Sequence, residues 1–371
     1  MKTKKVCALA GDGIGREIMG VGLALFESVA KELDIQYELT RGLVGWSAYD
    51  KYGDVMPPET WKLFHEADAV VLGAVGLPLR NKGVENELMP EIRALLAMRQ
   101  VGEFGCNIRP IKVLKDLAGL SPLQPHIVGE GINLTFFREL LGGDYFGAHE
   151  TDRDGLWAKD NSLYTKVQIE SIARAAFEMA RSTGQSVTSV DKANVLASVG
   201  SFWRKVVTDL HEREFPEVTL RHQYVDSMNL MLFTKPSEFE IILTSNGYGD
   251  ILSDGAAGLA GSMGLLPSAS LNTTNGRALY EPSGGSAPDI AGKGVANPVA
   301  MILSVSLMFR HTFGNEVAVK AIEDSVTETL VNFRTPDIAK DKNFKENIVS
   351  TDEFGSLVIQ RTLQKLHDAA L

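Results

Sequence analysis

Along this chain, short uninterrupted apolar runs alternate with stretches in which apolar residues recur every three or four positions. Runs of the first kind suit strands buried on both faces, and the second kind suits helices that lay one face on a core. Lys5–Ala10 reads as a strand that enters the turn Gly11-Asp12-Gly13-Ile14-Gly15, and Ile14–Lys31 reads as the helix after it. Ala69–Gly73, Ser186–Val190 and Phe239–Thr244 are further strand-like runs. The stretch Gln168–Arg181 sets Ile169, Ile172, Ala173, Ala176 and Phe177 on one face and predicts an amphipathic helix. Such alternation predicts the α/β class. Two segments depart from it. Asp144–Asn161 is rich in Asp, Gly and charge without a period, and reads either as a linker or as an arm that packs on a second subunit. Residues 255–300 are rich in Gly, Ala, Ser and Pro, a composition that suits tight helix packing interleaved with ligand loops. No internal repeat or low-complexity tract interrupts the chain.

Composition narrows the partners. With 371 residues there is room for two domains or one large α/β unit. The net charge of -10 argues against a nucleic-acid surface, although a local arginine cluster can still serve a small anionic substrate. No apolar stretch approaches the roughly 18 residues needed to span a bilayer, and the residues before Gly11 lack the apolar length of a secretory signal. Cys7 and Cys106, each inside an apolar run, read as buried free thiols of a reducing compartment. The expectation is therefore a cytoplasmic protein that binds neither nucleic acid nor membrane.

Three sets of residues carry candidate chemistry. Asp250 and Asp254 in Gly-Asp-Ile-Leu-Ser-Asp fall one helical turn apart, so both carboxylates share a face. Facing carboxylates suit hard cations such as Mg²⁺ or Mn²⁺, and Asp226 is a candidate third ligand; the alternative reading is first-turn acids that complement a helix dipole. The seven histidines show no ligand spacing, which argues against zinc. Arg99, Arg109 and Arg138 would fit a dicarboxylate if they converge, because the guanidinium fork grips carboxylates bidentately. Taken singly, each reads equally as an exposed or ion-paired residue. The turn at 11–15 is an incomplete dinucleotide fingerprint, since Gly15 comes one residue early, and a plain strand-to-helix turn is an equal reading. In the loop Glu281–Pro298, small residues would admit a close ligand and Asp289 is a candidate acceptor for ribose hydroxyls, where a carboxylate would repel a 2′-phosphate and favour NAD over NADP; a loop with no ligand is the alternative reading.

Taken together and in order, these segments resemble the β-decarboxylating dehydrogenases, the family of 3-isopropylmalate, isocitrate, homoisocitrate and tartrate dehydrogenases. The matching pieces are GDGIG at 11–15, ALLAMR at 94–99, NIRP at 107–110, FRELLGGDYFG at 137–147 and SVDKANVL at 189–196. DSMN at 226–229, TSNGYGDILSD at 244–254, GSMGLLPSASL at 261–271 and the 281–298 loop complete the set. The resemblance implies an α/β, isopropylmalate dehydrogenase-like two-domain fold with a mixed central sheet flanked by helices, not a Rossmann fold. It implies a large cofactor-binding domain from 1–104 plus 262–371, and a small domain, 105–261, with the dimer interface and an arm near 148–163.

By the same resemblance, Arg99, Arg109 and Arg138 clamp the substrate carboxylates. Tyr145 protonates the enolate left when CO₂ departs, and Lys192 takes the C2 hydroxyl proton directly or through water. Asp226, Asp250 and Asp254 hold Mg²⁺ or Mn²⁺, with Asp226 also beside the substrate. Lys192 and Asp226 come from the neighbouring subunit, so a homodimer shares its active sites. Glu281, Gly285, Ser286, Ala287, Asp289 and Asn297 hold NAD, Asn194 lies near the nicotinamide, and Glu91 near its ribose. To act as a base, Lys192 needs nearby cationic charge or burial that depresses its pKa.

Leu95 and Leu96 form an apolar wall suited to an isopropyl group, worth about 1–3 kcal/mol against smaller or polar substituents. The implied activity is NAD-dependent oxidative decarboxylation of 3-isopropylmalate, a step of leucine biosynthesis. Tartrate, malate, methylmalate and homoisocitrate are the alternative substrates, and Arg93 beside the wall has no role in this reading. A silent regulatory subunit would lack members of the clamp or metal set, all of which are present, and a solute-binding protein would carry an export signal. The chain departs from the family at Ala74–Arg80, where relatives usually read Gly-Gly-Pro-Lys-Trp, and at Gly284, where many carry histidine.

Overall fold

The computed structural model describes residues 3–339 and 347–370. The chain divides into two compact units, one from 1–102, 261–269 and 275–371, the other from 103–260 and 270–274. Residues 270–274 thus cluster with the central unit and not with the two chain ends.

In the first unit the strands run in the order Tyr37–Gly42, Lys4–Gly11, Ala69–Ala74 and Ala278–Pro282, followed by Pro267–Leu271. The first four are mutually parallel. Ala69–Ala74 is buried at every position and Val6–Leu9 likewise, which is why these strands read as continuous apolar runs and not as alternation. The helix Gly15–Glu32 packs on Thr351–Ala370 and on Val299–His311, with Phe26 centred 5.6 Å from Phe309.

The turn between the first strand and its helix is a clasp. Gly13 has φ +54°, and a Cβ there would fall 1.9 Å from the Ser286 carbonyl oxygen. That oxygen instead accepts a bond from the Ile14 N–H at 2.8 Å. Buried Asp12 accepts from the backbone N–H groups of Gly76, Trp46 and Ser47 at 2.9, 3.1 and 3.1 Å. Burial raises its pKa, and the three N–H donors work against that shift. The geometry is therefore that of a tight turn which ties the loops after Ala74 and around Ser286 to one strand end.

In the second unit Cys106–Leu114 pairs antiparallel with Gly131–Glu139, and Ile241–Thr244, Val187–Asp191 and Leu220–Tyr224 continue in parallel, making the sheet mixed. Helix Lys166–Thr183 opens on a capping box in which Thr165 and Gln168 satisfy one another's backbone N–H groups. It buries Ile169, Ile172, Ala173, Ala176 and Phe177, the face its sequence predicts, in one core with Trp203, Val207 and Leu210 of helix Val199–Glu214. Each large side chain so buried contributes about 1.5–3 kcal/mol. Between these elements His149–Thr151 and Ala158–Asp160 form a small exposed hairpin, which gives the aperiodic polar segment a definite shape. Among the described residues no helix is long and apolar enough to cross a membrane.

Gly13→Ala is expected to lower the melting temperature by several degrees in thermal unfolding, because strain and a backbone clash coincide. Gly53→Ala, at φ +73° but with open space around it, is expected to cost only the backbone strain, about 1 kcal/mol. Equal losses at both positions would refute the clasp.

Candidate active site

The central unit assembles its polar cluster from one strand pair and one helix. In the antiparallel pair Asn107 stands opposite Arg138, so Arg138 shares a face with Asn107 and Arg109. Helix Asn246–Ala257 follows strand Ile241–Thr244 and presents Asp250, Ser253 and Asp254 to that face. Arg109 donates through Nη1 to Ser253 Oγ and Asp254 Oδ1, both at 2.8 Å, and through Nη2 to Asp250 Oδ1 at 3.4 Å. Its Nε donates to Asn107 Oδ1 at 2.9 Å. Arg138 donates through Nη1 to Asp250 Oδ1 and through Nε and Nη2 to Asn246 Oδ1 at 3.1 and 2.7 Å. Tyr145 donates its hydroxyl to Asp250 Oδ2 at 2.9 Å, with its ring 5.6 Å from the Arg138 guanidinium carbon. Five of the residues singled out by sequence thus meet here, and two guanidiniums balance two carboxylates.

Burial pushes the Tyr145 phenol up to about 12, reinforced by the Asp250 carboxylate, so it keeps its proton at neutral pH. Burial also raises the Asp254 carboxyl; Arg109 opposes that shift and Asp250 adds to it.

Lys192 and Asp226 form a separate pair in the same unit. Lys192 follows the strand that ends at Asp191, a buried carboxylate gripped by Arg204 at 2.8 and 2.9 Å. Asp226 sits in the first turn of helix Val225–Thr234, and Lys192 Nζ lies 2.7 Å from its Oδ1. The lysine bond holds the Asp226 carboxyl below the ordinary range. Lys192 therefore faces a carboxylate within one chain, where the base role calls for cationic charge or burial. It also lines a cavity of about 270 Å³ with Asp144, Asp160, Ser162 and Tyr248. Asn194, two residues on, is exposed. Among the described residues no three acids, histidines or cysteines of the chain form a metal-ligand group, and Asp250 with Asp254 is the acidic pair on the arginine face.

The first unit holds the other predicted residues. Glu91–Leu96 is a π-helix continuous with the helix Ala97–Val101, its widened turn closed by the Ala97 N–H on the Ile92 carbonyl. Leu95 and Leu96 lie four and three residues before Arg99, so both adjoin it on one side of the helix, and both leucines are half-buried. Buried Arg99 is held by Glu281 at 2.7 Å, which commits that glutamate to the arginine. Arg93 turns away to a bidentate pair with Asp54 at 2.8 and 2.7 Å. Glu91 accepts from Asn81 Nδ2 at 2.9 Å.

Ser286 donates its hydroxyl to the Gly76 carbonyl, and Ala287 adopts a left-handed φ of +37°. Gly285 and Asp289 are exposed, and Asn297 is buried. Among the described residues, Asn297 Nδ2 and Ser283 Oγ are buried without a hydrogen-bond partner. The divergent segment after Ala74 is anchored through Arg80, paired with Asp50 at 2.9 and 2.7 Å and stacked 4.6 Å from the Trp46 ring. Asn107, Asn246, Ser253 and Glu139 were not foreseen. Three are neutral residues whose importance lies in what they orient, and Glu139 is a buried acid adjoining a predicted arginine.

Comparison with known proteins shows the family of the chain. The sequence profile of the family described as isocitrate/isopropylmalate dehydrogenase matches residues 5–358. The 3-isopropylmalate dehydrogenase of Thermotoga maritima is 45% identical, over 96% of this chain and 98% of its own length. That of Haemophilus influenzae is 44% identical, over 97% and 99%. Among solved structures, isocitrate dehydrogenase from Methylococcus capsulatus superposes with a TM-score of 0.84 at 28% identity, covering 98% of this chain and 100% of that one.

Glu139 is fully buried and accepts the N–H groups of Leu141 and Gly142 at 2.9 and 2.8 Å; burial still pushes its pKa up to about 7. A raised folded-state pKa favours the protonated native form, so its contribution is complete below about 4.5 and fades as pH rises through about 7. Stability of the wild type relative to Glu139→Gln is expected to fall across that window in denaturant titrations. A difference independent of pH would refute the shift.

Proposed function

The chain belongs to the isocitrate/isopropylmalate dehydrogenase family, and we propose that within it the chain catalyses NAD-dependent oxidative decarboxylation of 3-isopropylmalate to 4-methyl-2-oxopentanoate and CO₂. The observation that carries the substrate is the helical side formed by Leu95, Leu96 and Arg99. It offers an apolar wall one turn from a buried guanidinium, while Arg93, the polar group beside it, is committed to Asp54. An isopropyl group fills such a wall; the hydrogen or hydroxyl of malate or tartrate leaves it unfilled.

Arg109 and Arg138, with Arg99, bind the substrate carboxylates in this reading. In the chain alone Asp250 and Asp254 balance Arg109 and Arg138. A dication and a malate dianion therefore enter together without changing the net charge of a largely buried site. The oxygen-only donors Asp250 and Asp254 fit Mg²⁺ or Mn²⁺, with Asp226 of a second copy as the third carboxylate. Such an ion, when bound, supplies Lewis acidity at the C2 oxygen. The orphaned Asn297 Nδ2 and Ser283 Oγ fit a dinucleotide, whose purine and ribose offer acceptors and donors. Gly285, Ser286, Ala287 and exposed Asp289 complete that cradle, with Asn194 and Glu91 toward the nicotinamide and Glu281 orienting Arg99. NAD, when bound, supplies the electron acceptor for oxidation at C2.

Lys192 takes the C2 hydroxyl proton, and Tyr145, protonated at neutral pH, delivers a proton to the carbon that has lost CO₂. Lys192 and Asp226 serve the site of a neighbouring copy, which makes the working unit a homodimer. Exposed Val195, Leu230, Phe233 and Ile251 on the central unit support this, as does the projecting hairpin at 149–160.

NADH formation with purified protein and Mg²⁺ is expected to favour 3-isopropylmalate over malate, tartrate, isocitrate and homoisocitrate by about tenfold or more in kcat/KM. Comparable rates on malate would sink the wall argument. Tyr145→Phe and Lys192→Met are each expected to lower kcat about 100-fold or more with little change in melting temperature. Intact turnover in either would remove that residue from the mechanism.

A further inference from the structure

Asn246 is wholly buried at the first position of its helix, just after the N-cap residue Ser245. Its amide looks outward to two other elements. Oδ1 accepts both Nε and Nη2 of Arg138, and Nδ2 donates to the Gly142 carbonyl at 3.0 Å. A guanidinium only donates and a carbonyl only accepts, so this orientation of the amide is forced. The backbone N–H of Asn246 donates in turn to the Tyr164 hydroxyl oxygen at 3.0 Å, which pins the helix start.

We propose that Asn246 is a positioning residue that aims Arg138 at the substrate carboxylate without adding a second countercharge to the one Asp250 supplies. Neutral amide bonding along the Nε–Nη2 edge fixes the plane of the guanidinium and turns Nη1 toward the Asp250 side of the cluster. A carboxylate at this position would hold the same edge equally well but would add a second negative charge beside the one Asp250 supplies, lowering the attraction of the site for a dianionic substrate. The stem of Arg138 is seated by Gly249, where a Cβ would lie 2.6 Å from Arg138 Cγ. Head and stem are thus both fixed by one helix, the helix that also carries Asp250 and Asp254. Through Gly142 the same amide braces the turn that leads to Tyr145, three residues on.

This inference rests on the clamp reading of Arg138. Its test is a double-mutant cycle between Asn246→Asp and Arg138→Lys, read as KM for 3-isopropylmalate with Mg²⁺ and NAD saturating. Asn246→Asp alone is expected to raise KM about tenfold or more, a charge effect of the size seen when an ionic hydrogen bond is compromised. In the Arg138→Lys background, where the fork is already gone, it is expected to change KM less than twofold. A tenfold rise in both backgrounds would mean a general structural role and overturn the inference, as would an unchanged KM in Asn246→Asp. If Arg138→Lys leaves KM unaltered, the clamp reading itself falls and takes this inference with it. Should Asn246→Asp not fold, Asn246→Ser removes the amide without adding charge and is read in the same cycle, with the same criteria for coupling.

Discussion

Two guanidiniums on neighbouring strands of a buried sheet face cannot stand there uncompensated, and the central unit is organised around that constraint. Arg138 is 1% exposed and Arg109 6%, so their charge must be met by fixed carboxylates within reach. Asp250 and Asp254 meet it because an α-helix repeats its face every turn, and because the strand before that helix leads it over the arginines. Removing either partner would leave a buried charge alone, a far larger penalty than the loss of one hydrogen bond. The same balance explains why the cluster suits chemistry on an anionic substrate with a divalent ion. Opposite charges arriving together preserve neutrality, whereas either alone would not.

The first unit obeys a comparable constraint, expressed in backbone and not in charge. Asp12 gathers three N–H groups from two loops, and Gly13 lets the Ser286 carbonyl approach closer than any side chain would permit. The Ser286 hydroxyl closes the circuit on Gly76. A departure from the family pattern at 74–80 is therefore absorbed locally, since Arg80 finds Asp50 and the Trp46 ring, and Asn81 bridges Trp46 to Glu91. Gly76 attaches this loop to the glycine turn, donating to Asp12 and accepting from Ser286.

Much of this was legible in the residues, and the reasons differ from place to place. The helix at 166–183 was readable from its apolar period alone, which marks Gln168–Arg181 and falls two residues short at each end. The parallel strands were readable because burial on both faces writes them as unbroken apolar runs, although some of their ends shift by one or two residues. Convergence of Arg109 and Arg138 with Asp250 was not readable from spacing, because it depends on the cross-strand register of Asn107 with Arg138. Resemblance supplied it instead. Arg93 stayed without a role because its partner, Asp54, is 39 residues away in sequence and shares no motif with it. Asn246 was overlooked for a different reason: a neutral residue beside two conspicuous aspartates carries no signature of its own until its two hydrogen-bonding faces are seen.

The Lys192–Asp226 pair bears most directly on how a complete site is made. Asp226 is 68% exposed, and an exposed ion pair is weakly held because water competes for both partners. Neither residue joins the hydrogen bonds of the arginine cluster within its own chain, while Tyr145, Asp250 and Asp254 do. Lys192 and Tyr145, the proposed base and acid, thus belong to separate groups within a single copy. Apolar residues crowd the exposed surface of helices 225–234 and 246–257, at Leu230, Phe233 and Ile251, where a solitary protein would carry charge. In the proposed dimer two copies would join through that surface and cover its apolar side chains.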